Sequence, residues 1–263
     1  MKNSPIGIFD SGVGGLSVFS RIIKLLPDEN YIYFGDTVNL PYGNKTKEQL
    51  VEISSSIFDF FQTKGVKAVV MACNTTSATV YDVLKSKYDY KIYPIVQNVS
   101  KCIAEKNYKS IGVFATLATV NSHAYKREIQ LYNKNTKVYE NACPEWVSIV
   151  EKSLWNEEKS VENIRMLLGK MLQNDVEKII LGCTHYPYLL GVLSKFAPKE
   201  MFIDPAEQFA KFILEDLTKN NLLNEGTVSK PEFYVSSNHE RFESASSLFY
   251  KVENSREISL VNI

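Results

Sequence analysis

The stretch KAVVMACNTTSATV, residues 67–80, decides the fold. Its apolar run over 68–72 is short and lacks the alternation of a half-exposed strand, so it predicts a strand covered on both faces, the mark of a parallel sheet. TTSATVYDVLKSK continues as a helix, which leaves Cys73 at the C-terminal end of the strand, with Asn74 and Thr75 beside it. Residues 179–188, IILGCTHYPY, repeat the arrangement with Cys183, Thr184 and His185, and YLLGVLSKF predicts the helix that follows.

The same alternation extends outward in both directions. PIGIFDSGVGGLSV predicts a strand over 6–9, a glycine-rich turn at Gly12, Gly14 and Gly15, and an amphipathic helix to about Leu26. NYIYFGDT reads as a second strand. From Thr46, a capping-box pattern with Gln49 opens a helix whose Leu50, Ile53, Ile57, Phe60 and Phe61 recur at helical spacing, and Gly65 ends it. Strand SIGVFA with Thr116 and Thr119 behind it, a helix over 161–172 and strand KIILG then restore the first order. Strands alternating with helices predict an α/β fold with parallel sheets.

PIGIFDSG aligns with SIGVFATL, and KAVVMACNT with KIILGCTHY, at separations slightly above one hundred residues. That period is far longer than a solenoid repeat. It implies two similar domains related by a pseudo-twofold axis, with the active site in the cleft between them: 1–97 plus 209–263 on the Cys73 side and 98–208 on the Cys183 side. The segment after FIDPAEQFAKFILEDL, with KPEFYVSS as a strand and a further helix, has no counterpart in the first half and is read as crossing back to complete the first domain.

At 263 residues, 44% hydrophobic and 23% charged, the chain has the composition of a globular protein able to bury a sizeable core. Thirty basic residues balance thirty acidic ones, so no overall field draws nucleic acid. No apolar run approaches a membrane span, and the N-terminal stretch is broken by Asp10 where a signal peptide would be uninterrupted. The short lead before Ile6 is expected to leave no room for an N-terminal regulatory extension. Cys73, Cys102, Cys143 and Cys183 form no CxxC pair, and a cytoplasmic location, where thiols stay reduced, is expected.

Ligands in open parallel sheets bind beyond the C-terminal ends of the strands, and a helix N-terminus there favours a thiolate or an anion. Two such corners facing one cleft would set two thiols on opposite sides of a small substrate, one removing a proton and the other supplying one, with inversion at a carbon. A thiol of pKa ~8.5 is little ionised near neutrality, so each needs help. His185, two residues after Cys183, suits a proton relay. Asp10 is nearest to the other corner; because a carboxylate raises a neighbouring thiol's pKa, it must act by hydrogen bonding or by taking the proton.

FDSGVGG, YFGDTVNLPYG, ACNT and GCTHYP, in this order from Ile6 to about Asp204, together resemble glutamate racemase, the cofactor-independent enzyme that supplies D-glutamate for bacterial cell walls. The resemblance implies that Cys73 and Cys183 are the catalytic acid/base pair, with Cys73 acting on D-glutamate and Cys183 on L-glutamate, assisted by Asp10 and His185. ACPEWVSIVE is similar to a further family segment and makes Glu151 its catalytic glutamate. Substrate contacts carried over are Asp10, Ser11, Tyr42, Gly43, Asn74, Thr75, Thr184 and His185. The resemblance also implies no cofactor, no metal and a homodimer.

The chain departs from the family at Gln97, Asn98 and Val99 in PIVQNVSK, where hinge packing or dimer contacts would change, at Pro205 in FIDPAE, in YVSSN, which lacks the usual glycine, and at Ala115. A structural zinc site wants four ligands at short spacings, and only Cys183 and His185 are close. GVGG without a full GxGxxG and acidic partner does not point to a dinucleotide. A dithiol redox pair would be too widely separated to bridge. The readings that stay beside the first are a racemase for aspartate or another acidic amino acid, and a catalytically silent binding protein of the same fold. Cys102 and Cys143 read as small apolar residues, His123 and His239 have no motif around them, and YKREIQ at 125–130 reads as a solvated helix face.

Overall fold

The computed structural model describes residues 2–250, 252 and 258–261. They form two parallel sheets. The first half contributes β1 (Ile6–Asp10), α1 (Leu16–Leu25), β2 (Tyr31–Gly35), α2 (Lys47–Thr63), β3 (Ala68–Met71), α3 (Asn74–Leu84) and β4 (Lys91–Pro94). After α4 (Ile95–Ala104) come β5 (Ser110–Ala115), α5 (Leu117–Ser122), α6 (Ala124–Tyr132), β6 (Lys137–Ala142), α7 (Trp146–Glu151), α8 (Glu158–Leu172), β7 (Lys178–Gly182), α9 (Leu190–Leu193) and β8 (Phe202–Ile203). Then α10 (Pro205–Lys219), β9 (Glu232–Val235), α11 (His239–Ser246) and β10 (Ile258–Leu260) follow.

The sheet orders are β10-β9-β2-β1-β3-β4 and β6-β5-β7-β8. Within the first, β2-β1-β3-β4 has the same order as the whole of the second, so the duplication read from sequence is present in the topology; β9 and β10 extend the first sheet beyond β2. Strand register refines the alignment. Ile6 pairs with Ala68 and its counterpart Ile111 pairs with Lys178. Counting on from those pairs makes Cys73 equivalent to Cys183, Asn74 to Thr184, Thr75 to His185 and Ser11 to Thr116.

The predicted capping box is present: Thr46 Oγ1 accepts from Gln49 N, and Gln49 Oε1 accepts from Thr46 N. Gly65 follows α2 at φ +64°, a conformation open to glycine at little cost. Ile6, Ile8, Val69 and Val70 are wholly buried, as strands covered on both faces must be. At the departure after β4, Gln97 holds α4 to α3, accepting from Ser77 Oγ at 2.9 Å and donating to Ser77 O at 3.1 Å. Pro205 occupies the first turn of α10, where a missing N–H costs nothing, and Asp204 caps that helix by accepting from Ala206 N. The serines of YVSSN are also used, since Ser236 Oγ donates to Asp36 Oδ1 at 2.7 Å. Among the described residues, no helix is long and apolar enough to cross a membrane.

Candidate active site

Each cysteine leaves the C-terminal end of a central strand. Cys73 is the N-cap residue of α3, so Asn74 and Thr75 open that helix. Cys183 directly follows β7, and its backbone N–H reaches back to Leu181 O. The two corners then differ. The segment predicted as one helix after Cys183 is a 3-10 turn, Tyr186–Leu189, followed by the four-residue α9. Pro187 in that first turn has no N–H to donate, and Tyr186 N and Tyr188 N are used within the turn, on Cys183 O and His185 O.

A cavity of about 50 Å³, room for a few water molecules, lies between the two corners. Its wall includes Ser11, Tyr42, Gly43, Cys73, Asn74 and Thr75 from the first half, and Cys183, Thr184 and His185 from the second. Asp10 and Glu151 stand one layer behind. Asp10 is fully buried; its carboxylate accepts from Gly12 N at 3.1 Å and from Thr184 Oγ1 at 3.4 Å. Glu151, at the end of α7, brings Oε1 within 3.3 Å of His185 Nε2, although that nitrogen makes no aligned hydrogen bond. The other face of Glu151 borders a neighbouring cavity with Leu40 and Arg241.

Electrostatics separate the corners further. Burial, and then the charge of Asp10, push the Cys73 thiol up to about 12, outweighing the Thr76 N–H that favours a thiolate. The expectation that the helix N-terminus makes this corner favour a thiolate is therefore reversed: desolvation and a like charge exceed what the Thr76 N–H supplies. Burial also raises Asp10, against the nearby His185 charge. For His185, burial opposes the charged ring, but the Cys183 sulfur, 3.9 Å away, and the Glu151 carboxylate beside Nε2 outweigh it and raise it to about 10. Burial would lift Glu151 as well, yet the His185 contact holds it below the usual carboxylate range.

Several residues with roles here escaped the sequence reading. Thr116 Oγ1 lies 2.9 Å from Thr75 Oγ1 and borders the cavity as the register counterpart of Ser11. The alignment of PIGIFDSG with SIGVFATL already pairs those two positions, so the signal was present. Asp36 anchors the loop that carries Tyr42, accepting from its hydroxyl. Gly14 belongs to more than a tight turn: a Cβ there would lie 2.5 Å from both His185 Cε1 and Thr184 Oγ1, so this glycine lets the two halves meet. The solvated face read at 125–130 is corrected at Tyr125 and Ile129, both completely buried. The Tyr125 hydroxyl donates to Asn74 Oδ1 at 2.6 Å. Cys143 is buried and Cys102 half-buried, both as free thiols. Among the described residues, no three His, Cys, Asp or Glu side chains group as they would around a metal.

The Asp/Glu/Hydantoin racemase family matches residues 6–213. The chain is 38% identical over 258 residues to the glutamate racemase of Thermoanaerobacter pseudethanolicus, covering 97% of each chain. It is 39% identical over 257 residues to that of Carboxydothermus hydrogenoformans, covering 97% of this chain and 96% of the relative. Among solved structures, the glutamate racemase of Francisella tularensis in complex with D-glutamate superposes with a TM-score of 0.91 at 31% identity, covering 99% of this chain and 98% of the other.

Proposed function

The chain belongs to the Asp/Glu/Hydantoin racemase family and is an amino-acid racemase, and from that premise we propose that it interconverts L- and D-glutamate by proton transfer at Cα between two thiols, without a cofactor. The observation that carries this reading is the convergence of Cys73, Cys183 and the polar groups of Asn74, Thr75 and Thr184 on one cavity. Cys73 as thiolate takes the Cα proton of D-glutamate. The electron pair left at Cα takes a proton from Cys183 on the opposite face, giving L-glutamate and a Cys183 thiolate. The reverse direction exchanges the roles.

The charge pattern supports a reason for the thiol to ionise only with substrate present. Burial and the Asp10 charge favour the protonated Cys73 thiol; an ammonium group entering beside it supplies a positive charge and lowers its pKa. Glu151 holds His185 charged, which makes His185 the group that returns a proton to Cys183. Asn74, Thr75 and Thr184, with Ser11, Tyr42 and Gly43, hold the carboxylates and amino group. Donors fixed in a buried site stabilise charge developing on the α-carboxylate at no further reorganisation. The reading includes the two domains 1–97 plus 209–263 and 98–208 closing on this cavity, a homodimer in the cytoplasm, and D-glutamate passed to peptidoglycan synthesis.

Proton NMR of each enantiomer in deuterated buffer tests it. Wild type is expected to lose the Cα proton signal from both enantiomers as the opposite one forms, and Cys73→Ser or Cys183→Ser to abolish the exchange or leave it one-sided. Activity on aspartate equal to or above that on glutamate would overturn the substrate assignment, and binding without exchange would overturn the activity.

A further inference from the structure

We infer that Tyr125 is a positioning residue that reaches from the second half of the chain to fix the Asn74 carboxamide of the first, so that the Asn74 amide NH2 faces the cavity. Three observations converge on it. The Tyr125 hydroxyl donates to Asn74 Oδ1 at 2.6 Å, and both side chains are almost entirely shielded from water. Asn74 itself borders the cavity. The Tyr125 ring also rests on the strand end just before Cys183: a Cβ added to Gly182 would lie 2.9 Å from Tyr125 Cε2. One aromatic side chain thus touches the residue after the first thiol and the residue before the second.

The chemistry of the amide explains why this matters. A carboxamide carries an acceptor and a two-proton donor at its two ends. An anionic substrate must meet the donor end, because the acceptor end would present lone pairs to a carboxylate. The hydroxyl occupies Oδ1 and leaves Nδ2 for the ligand. Burial keeps the phenol protonated and able to donate, since it disfavours the phenolate. The register counterpart of Asn74 is Thr184, whose hydroxyl donates to Asp10 Oδ2 at 3.4 Å, so each corner directs one polar side chain through a neighbour.

The inference rests on the proposed glutamate reading. Tyr125→Phe keeps the ring against Gly182 and removes the hydroxyl. It is expected to raise KM and the calorimetric Kd for glutamate roughly tenfold, the scale of one lost buried hydrogen bond, with kcat changed much less. In an Asn74→Ala background the same substitution is expected to change them less than about twofold, because its effect passes through Asn74. A tenfold loss that persists in that background, or no loss in the single variant, overturns the inference. Asn74→Asp keeps the acceptor for Tyr125 and replaces only the NH2, and should lower glutamate affinity far more than Tyr125→Phe; unchanged affinity also overturns it. Wild type that binds glutamate without exchanging either enantiomer sinks the racemase reading, while the coupling read by calorimetry still decides Tyr125. Wild type that binds neither enantiomer overturns both.

Discussion

Substituting Gly14 by alanine would act on the candidate acid/base machinery through geometry alone. The new Cβ would sit 2.5 Å from His185 Cε1, 2.6 Å from His185 Nδ1 and 2.5 Å from Thr184 Oγ1. Non-bonded carbons rest at about 3.5–4.0 Å, so the ring would have to withdraw by about 1 Å or push the turn away. It has little room, being 2% exposed and packed edge-to-face on Phe249, with Glu151 against its other nitrogen. Overpacking of this kind costs about 1–3 kcal/mol of stability. A misplacement of that size at a reacting group costs about a hundredfold in rate. Gly14→Ala is therefore expected to lower kcat/KM by roughly that factor in both directions, while Tm falls by only about 2–4 °C per kcal/mol. Circular dichroism can follow both racemisation and unfolding. A folded Gly14→Ala protein with wild-type kcat/KM would refute the reasoning, because His185 would then have no need of its observed position.

Three further outcomes follow from the same structure. Gly169 lies within α8 with open space around it, so Gly169→Ala should stabilise the protein to urea by about 0.5–1 kcal/mol with kinetics unchanged; a loss of stability would contradict the open site. Lys67 pairs with Glu29 at 2.5 Å, both nearly fully buried, and Lys67 also donates to Lys2 O and Leu222 O; Lys67→Ala strands the carboxylate and should cost about 3–5 kcal/mol in urea unfolding, whereas a cost below about 1 kcal/mol would show the pair to be solvated. His185 is raised from 6.5 to about 10, so its imidazolium contributes stability that is fully present below pH 6.5 and lost as pH rises towards 10. Its ring protons should show no titration step between pH 5.5 and 8 in NMR spectra compared with His185→Gln, and a midpoint near the ordinary histidine value would remove the ion pair from the account.

How far the sequence could be read depended on whether the signal was local. The strand at 68–71, the capped helix from Thr46 and the two cysteine corners follow from short-range pattern, and each is present in the structure. Repetition carried more, because two matched segments implied two sheets of one topology before any contact was known. What stayed hidden depends on contacts between distant segments. Tyr125 heads a charged run, Lys126 to Glu128, that hides its place in the interior, and α6 packing against α4 and α3 buries it. Gly14 looks like one more turn glycine until His185 is placed against it. The net direction of the Cys73 shift could not be read from a helix N-terminus, since it depends on how completely the fold excludes water.

Duplication made the corners equivalent in position and unlike in charge. By register, the counterpart of Asp10 is Ala115 and the counterpart of His185 is Thr75, so one corner has a carboxylate and no imidazole beside its thiol, and the other an imidazole held charged by Glu151. If Asp10 is one of the causes that hold Cys73 at about 12, after burial and ahead of Cys183, removing its charge must lower that value; because burial is the largest cause, the thiol must still titrate above 9.0. Asp10→Asn keeps the side-chain shape and an acceptor for the Gly12 N–H. The ultraviolet thiolate absorbance of Cys73, taken as the difference from Cys73→Ser in each background, should show a midpoint between those limits in Asp10→Asn. Iodoacetamide should accordingly alkylate Cys73 faster near pH 9 in that variant than in wild type. An unmoved midpoint would mean that Asp10 does not set the thiol, and the positive charge of an arriving amino group would then have no neighbouring carboxylate to offset.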